Sequence, residues 1–473
     1  MTENFDLVVI GSGPAGEKGA TQAAYFGYRV AIVERSPAPG GSPVSTAGIP
    51  TKTLRETALY VTGFQQREVY GLSLQLDPQA TLRHLISRTA NVISTAEERV
   101  RRNIERHGIT LLRGNAALGG DGTVVVKDDR GEETVLEARV ILIATGSRPF
   151  RPPGIPFDDP DVHDSEDIIR IDRIPKTMVV VGGGPVGSEY ASIFTALGVE
   201  VTLLDAADRL LPFMDAEISG LLALALRRMG ARMLLGSGVA TIERTGGELR
   251  VSMANGEVIR PEKVLFAAGR AGNTEGLALE AAGVEVDARG RILVDRHFRT
   301  SADGVYAAGD VIGPPALASV STEQGRVAVC HGLGIPFKET VDPLAPFGIY
   351  SIPEVAMVGL TEESAKERNI DYEVGRGWFT DNTRANISGS TEGLVKLVFR
   401  RDDKTLLGVH ILGDIAGELI HLGQAVLHSG GTIDRFIHAT FNIPTRSDAY
   451  KYAAYDGLQR LAARPVRVDT TVA

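Results

Sequence analysis

Cysteine is almost missing from this chain: Cys330 is the only one in 473 residues. No intrachain disulfide can form, and chemistry that cycles two thiols within one subunit is excluded by counting. Cys330 stands in the helical run Arg326-Val-Ala-Val-Cys330 and reads as a small buried hydrophobe. Long apolar runs are lacking too. No stretch approaches the ~20 residues of a membrane span, and the N-terminus shows no basic segment leading into a long apolar one. A cytoplasmic protein with no membrane partner is therefore expected. Positive charge is in deficit, with 50 Lys and Arg against 59 Asp and Glu and a formal net charge of −9. Such a chain is poorly suited to neutralising a phosphate backbone, so no nucleic-acid partner is expected. No metal site is expected either.

What the chain has is glycine in ordered places. Leu7-Val-Val-Ile-Gly11-Ser-Gly13-Pro-Ala-Gly16-Glu17 reads as an apolar strand, a glycine turn and a helix start. That geometry sets a pyrophosphate against a helix N-terminus. Gly11 permits the tight turn, Gly13 lets backbone approach phosphate, and Gly16 allows helix to pack on strand. The next strand, Arg29-Val-Ala-Ile-Val-Glu34, ends in a carboxylate 18 residues after Gly16, where a ribose diol needs an acceptor. Met178-Val-Val-Val-Gly182-Gly-Gly184-Pro-Val-Gly187-Ser-Glu189 repeats the pattern, and Asp205 closes its second strand again 18 residues after the last glycine. The identical offset marks an internal repeat, hence two dinucleotide-binding halves.

Between and beyond these signatures the chain reads in order. Residues 40–50 form a Gly/Pro loop, and a helical pattern resumes at 51–59. Two helices are expected at 82–94 and 96–106, with Glu97, Glu98, Arg101 and Arg102 on a solvated face. Val140-Ile-Leu-Ile-Ala-Thr145-Gly146-Ser147 closes the first unit, and Val264-Leu-Phe-Ala-Ala-Gly269-Arg270 closes the second in the same way. Gly304-Val-Tyr-Ala-Ala-Gly309-Asp310 ends a further strand ahead of a helix starting near 316–318; Asp310 there is either a ligand-facing acid or a simple helix cap. From about Pro346 the pattern turns α+β, with a strand pair around Asp402-Asp403 and helices at 416–428 and 447–461. The expected fold class is α/β, two Rossmann-like dinucleotide-binding domains plus a C-terminal α+β dimerisation domain. The expected divisions are 1–150, 151–272, 273–345 and 346–473.

The ordered set, with Gly40-Gly41, Ile49-Pro-Thr-Lys52-Thr-Leu-Arg55, Gly348-Ile-Tyr-Ser-Ile-Pro-Glu354 and Thr440-Phe-Asn-Ile-Pro-Thr445, resembles the flavoprotein pyridine nucleotide-disulfide oxidoreductases across the whole chain, and within them the transhydrogenase group. That resemblance implies that 1–150 and 273–345 bind FAD and 151–272 binds NAD(P). By position, Gly11, Gly13, Gly16, Glu34, Arg35, Gly41, Ser42, Ala116, Thr145, Gly146, Asp310 and Ala318 would hold FAD. Lys52 would lie beside the reactive flavin nitrogen and pair with Glu189. Gly182, Gly184, Gly187, Glu189, Asp205, Gly269 and Arg270 would surround the nicotinamide dinucleotide. The activity implied is hydride transfer from NAD(P)H to FAD and on to a second NAD(P)+, of the Si-specific transhydrogenase type, in a homodimer or higher homo-oligomer. NAD(H) is the expected dinucleotide and NADP(H) a further candidate, since Asp205 should repel a 2′-phosphate unless Arg209 or Arg270 offsets it.

Departures from the family pattern narrow the chemistry. Relatives that use a disulfide carry cysteines where this chain has Pro43 and Gly48, and a His where it has Ile443; Asp448 keeps the acid that follows. A thiol pathway needs a thiolate and a base for its proton. Both halves of that equipment are absent, so reduction of lipoamide, glutathione or thioredoxin is not expected. Two alternatives stay open: an NADH dehydrogenase of diaphorase type, passing electrons to a quinone, dye, metal ion or oxygen, and a catalytically silent flavin-binding protein.

Overall fold

The structure, a computed structural model, describes residues 2–63, 71 and 77–463. The strand Thr2–Ile10 pairs in parallel with Val30–Glu34 on one side and Glu133–Ile143 on the other. Thr110–Arg113 extends the sheet beyond Val30–Glu34, and Val305–Ala307 adds to Glu133–Ile143 from far along the chain. Val30–Glu34 is buried at every residue, as a parallel strand covered on both faces must be. Register then does the positioning. Ile10 lies level with Val33 and with Ile143, and Ile143 with Ala307. The turns that follow, at Gly11, Glu34, Ala144 and Ala308, therefore leave the sheet along one edge, where ligands of open α/β sheets bind.

The second unit repeats this plan with Arg232–Leu235, Glu200–Asp205, Thr177–Val181, Lys263–Phe266 and Val162–Asp164 in that order, all parallel. Leu204 and Phe266 both lie level with Val181, so Gly182, Asp205 and Ala267 share an edge. The third unit is a five-stranded antiparallel sheet, Phe347–Ile349, Val355–Gly359, Leu406–Leu412, Leu394–Arg400 and Tyr372–Trp378. Helices Ala416–His428 and Ala449–Ala463 pack on it. Gly375 and Gly377 let the last helix touch the edge strand: a Cβ on either would fall 2.0 or 2.1 Å from the carbonyl of Ala453 or Ala449. The fold is thus two Rossmann-like α/β units followed by an α+β unit. Among the described residues no helix is long and apolar enough to cross a membrane.

Lys396, fully buried on Leu394–Arg400, reaches into the second unit. Its Nζ meets both oxygens of Asp215 at 2.8 and 2.9 Å and Glu217 at 2.9 Å, and also meets Glu362. Arg376 holds the other side of Glu217 at 2.7 and 2.8 Å. Burial raises the carboxyls of Asp215 and Glu217, yet the surrounding cations outweigh it and keep both below the usual carboxylate range.

One expectation fails. The two helices placed at 82–94 and 96–106 are a single helix, Pro78–Arg106. Asp77 caps it through the N–H groups of Gln79 and Ala80, with Pro78 in the first turn. The gap between the two expected helices falls at Thr95, whose hydroxyl bonds back to the carbonyl of Asn91 at 2.9 Å while the helix continues. Thr81, Leu85, Thr89, Ala96, Val100 and Ile104 form its buried stripe at helical spacing. The helix expected near 316–318 begins at Ala318 and runs to Leu333, and Cys330 is buried within it, which pushes its thiol pKa up.

Candidate active site

The first glycine turn is tight because nothing else fits. Gly11 has φ +101°, and a Cβ there would lie 2.5 Å from the carbonyl oxygen of Ala144. A Cβ on Gly16 would lie 1.9 Å from the carbonyl oxygen of Gly11, so the helix Pro14–Tyr25 starts directly on the strand end. Gly325 presses the helix Ala318–Leu333 onto the same place, its missing Cβ 2.1 Å from the carbonyl of Ala15. Neither helix has a side-chain cap. Two helix N-termini with free N–H groups therefore converge on one cleft, a setting that favours negative charge.

That cleft is a cavity of about 770 Å³. Gly11, Gly13, Glu34, Arg35, Gly41, Ser42, Ala116, Thr145, Gly146, Asp310 and Ala318 all line it, and Gly16 lies beneath it in the helix packing. The Glu34 carboxylate accepts from the N–H of Ser12 at 3.0 Å and of Ser36 at 2.8 Å, and from the Ser12 hydroxyl. Ser12 in turn accepts the N–H of Gly40 at 3.0 Å, which ties the Gly40-Gly41 loop to the glycine turn. Asp310 caps no helix; it accepts from the hydroxyls of Ser147 and Ser321 at 3.2 and 3.4 Å.

Lys52 sits in a second cavity of about 890 Å³, which shares Pro14, Pro43 and Ala318 with the first. Its Nζ donates to both oxygens of Glu189 at 2.8 Å, joining the first and second units. Glu189 also accepts the N–H of Tyr350 at 2.9 Å, and the Tyr350 ring lies 5.0 Å from the Lys52 ammonium. Three more contacts lock the junction and were not foreseen from sequence. Arg55, one helical turn past Lys52, donates to the carbonyl of Ser351 at 3.0 Å and pairs with Glu354 at 3.2 Å, while the N–H of Ile352 donates to Ser192 at 3.0 Å. Burial raises the Glu354 carboxyl above its usual range in spite of Arg55, and burial, aided by the Glu354 charge, raises the Tyr350 phenol. The spacing Lys52–Arg55 was the available signal: positions i and i+3 share a helix face.

The second glycine turn copies the first. Gly182 has φ +113°, and a Cβ on Gly187 would fall 1.8 Å from the carbonyl of Gly182. Gly184 stands before the helix Pro185–Ala196 with open space around it. Asp205 accepts the N–H of Gly183 and, at 2.7 Å, that of Ala207. The two arginines considered beside it are engaged elsewhere. Arg209 donates to the carbonyl of Pro212 at 2.5 Å and pairs with Glu363 at 3.6 Å; Arg270 holds Ser147 through its hydroxyl and carbonyl at 2.7 Å, and Glu166 at 3.2 Å. Gly269 and Arg270 line a third cavity, of about 810 Å³, which shares Arg148, Glu166 and Glu275 with the first.

Pro43 and Gly48 are neighbours in space. A Cβ on Gly48 would lie 3.1 Å from the Pro43 Cα and 2.7 Å from its carbonyl oxygen. Both line the Lys52 cavity, which consequently has a wall without sulfur. Ile443 is 67% exposed, and Asp448 lies in the turn Arg446–Asp448.

The sequence profile of the pyridine nucleotide-disulphide oxidoreductases matches residues 5–325, and that of their dimerisation domain matches residues 345–454. Soluble pyridine nucleotide transhydrogenases are similar over nearly the full length. The protein from Mycobacterium bovis is 44% identical over 460 residues, covering 97% of this chain and 98% of that one. The one from Chromohalobacter salexigens is 40% identical, covering 97% and 99%. Among solved structures, LpdA from Mycobacterium tuberculosis superposes with a TM-score of 0.87 at 26% identity, covering 96% of this chain and 99% of that one. The HOCl-induced flavoprotein disulfide reductase RclA from Escherichia coli, as its Cu(II) complex, gives 0.86 at 26% identity with the same coverage. Two glycine turns of one design, the junction between them and these likenesses agree: the chain belongs to the pyridine nucleotide-disulphide oxidoreductase family of FAD- and pyridine-nucleotide-dependent oxidoreductases.

Proposed function

We propose that the protein is an FAD-dependent soluble pyridine nucleotide transhydrogenase, Si-specific, moving hydride between NAD(H) and NADP(H) in a cytoplasmic homodimer without a redox disulfide. The observation that carries this reading is the Lys52–Glu189 pair, whose Lys52 lines the second cavity together with Pro43 and Gly48. The first cavity suits FAD: the gaps left by Gly11, Gly16 and Gly41 admit close backbone approach, and the helix starting at Pro14 offers free N–H groups to a pyrophosphate. FAD, when bound, supplies reversible hydride acceptance. The chain supplies position and field. Glu34 takes the adenosine ribose, the N-terminus of Ala318–Leu333 and the Lys52 ammonium favour negative charge at the ring, and Glu189 fixes Lys52. Gly182, Gly184, Gly187 and Asp205 hold the incoming nicotinamide dinucleotide, with Gly269 and Arg270 at its border. The divisions at 150, 272 and 345 assign 1–150 and 273–345 to FAD, 151–272 to the dinucleotide and 346–473 to dimerisation, in which Ile443 presents an apolar side chain and no proton carrier.

The diaphorase reading keeps the same machinery and changes the acceptor. It is favoured by one observation, that Arg209 and Arg270 have other partners, so that among the described residues Asp205 has no ion pair that could also receive a 2′-phosphate. Stopped-flow bleaching of the bound flavin by NADH and by NADPH, side by side, separates the two. Reduction by both supports transhydrogenation, reduction by NADH alone supports the diaphorase, and no bleaching by either refutes both.

A further inference from the structure

The segment after Asp205 doubles back onto the second glycine turn. The N–H of Leu211 donates to the carbonyl of Gly183 at 3.0 Å, and a Cβ on Gly183 would meet Leu210 at 2.9 Å and the Asp205 carboxylate at 3.2 Å. The segment is tied from the other side as well, where the carbonyls of Asp205 and Ala207 accept the N–H groups of Ser237 and Gly236 at 3.2 and 2.8 Å. Arg209 stands on this fixed loop, so only its side chain is free to be repositioned. That side chain donates to the carbonyl of Pro212 at 2.5 Å and pairs with Glu363 at 3.6 Å. Glu363 belongs to the third unit, in the helix Glu362–Glu367 that Thr361 caps through the N–H of Ser364 at 3.1 Å. Its oxygen that meets Arg209 also accepts the N–H of Ala216 at 3.0 Å, where the helix Ala216–Met229 begins. Its other oxygen is buried and, among the described residues, makes no hydrogen bond. Glu363 is thus anchored on the second unit, with Arg209 as its one ion pair among the described residues. At 3.6 Å, with the two side chains 34% and 38% exposed, that pair is weak enough to be exchanged.

We propose that Glu363 is a positioning residue for dinucleotide selection: by pairing with Arg209 it withholds that guanidinium from the ribose end of the Gly182–Asp205 turn. The inference rests on the reading of that turn as the nicotinamide dinucleotide site and deepens it by naming a determinant outside the second unit. NAD(H) is held by Asp205 and needs no rearrangement. NADP(H) brings a 2′-phosphate beside the Asp205 carboxylate and is accepted only when Arg209 exchanges Glu363 for the phosphate, to which a guanidinium fork is well matched. Selectivity of this kind comes from a contact that penalises one partner and leaves the other untouched. The third unit thereby takes part in choosing the nucleotide.

The test uses holoenzyme and two redox-inert probes, ADP-ribose and 2′-phospho-ADP-ribose, which differ only in the 2′-phosphate; calorimetry gives both dissociation constants. Glu363→Gln removes the charge and keeps an oxygen for the Ala216 N–H. It is expected to tighten 2′-phospho-ADP-ribose about tenfold, the worth of one freed charge-assisted contact, while ADP-ribose changes less than about twofold. Glu363→Asp draws the carboxylate back by one methylene and is expected to move the ratio the same way by a smaller factor, which keeps the test decisive should the Gln variant not fold. Adding Arg209→Gln to Glu363→Gln should erase the gain, a coupling that a structural role of Glu363 would not produce. A ratio that moves less than about twofold in both Glu363 variants, or a gain that survives without Arg209, overturns the inference. ADP-ribose binding to the unsubstituted holoenzyme reports on the dinucleotide reading separately. If it is absent, that reading falls and this inference with it; if it is present with an unmoved ratio, only this inference falls.

Discussion

Asp205→Asn isolates the charge that sets dinucleotide preference. The carboxylate accepts N–H groups from Gly183 and Ala207, and among the described residues it has no ion pair; Arg209 is held by Pro212 and Glu363. Asn keeps nearly the same volume and one oxygen acceptor, so one of the two N–H groups, which bond to different carboxylate oxygens, loses its partner while the other holds the turn. A 2′-phosphate of charge about −2, placed about 5 Å away at an effective dielectric of about 60, is repelled by about 2 kcal/mol, and relieving that gains NADPH about 30-fold. NADH meanwhile loses a ribose hydrogen bond to a charged acceptor, about 1.5 kcal/mol, or about tenfold. Together the preference should move toward NADPH by on the order of 10²-fold at low ionic strength, and by less in high salt. The assay is the rate of flavin reduction against nucleotide concentration for both donors, at two salt concentrations. A ratio that moves less than threefold would refute the assignment of Asp205 to the ribose.

Other perturbations probe the same frame. Glu189→Gln removes the anion that fixes Lys52 and weakens the anchor on the Tyr350 N–H, so flavin reduction by NADH should slow roughly 10–100-fold while the flavin stays bound; stopped-flow traces with unchanged flavin content check this. Gly187→Ala places a Cβ 1.8 Å from the Gly182 carbonyl, and should abolish NADH binding by titration while leaving the flavin absorbance intact. Lys396→Met strands the buried Asp215 without its cation while Arg376 still holds Glu217, a loss of about 3–5 kcal/mol, read as a lower unfolding temperature. Both carboxyls sit below their usual range when folded, so they stabilise the protein above about pH 4 and that contribution fades as pH falls through their lowered values. The variant should therefore show a shallower loss of thermal stability on acidification, and an unchanged acid limb would count against the cluster's role.

The glycine turns and their carboxylates could be read before any coordinates because each is local. Gly11, Gly16, Gly182 and Gly187 are dictated by contacts within one strand–turn–helix, and Glu34 and Asp205 follow at a fixed offset. The continuous helix Pro78–Arg106 was misread for an equally local reason: Ser94-Thr95 has weak intrinsic helix preference, and tertiary burial of Ala96, Val100 and Ile104 overrides it. Arg55 with Glu354, Tyr350 with Glu189 and Ile352 with Ser192 were invisible, since those partners lie 160 or more residues apart in two cases and nearly 300 in the third.

The sequence by itself determined the chemistry that is excluded and the number of nucleotide turns: one cysteine rules out a dithiol, and two glycine signatures at one spacing require two similar crevices. Which surfaces face each other was settled only by the fold. Register levels the strand ends, glycine gaps let two helix N-termini meet, and long-range packing brings Lys52 to Glu189 and Glu363 to Arg209. Charge acts across space and the chain orders residues only along its length, so a site built from three units comes into being when they pack.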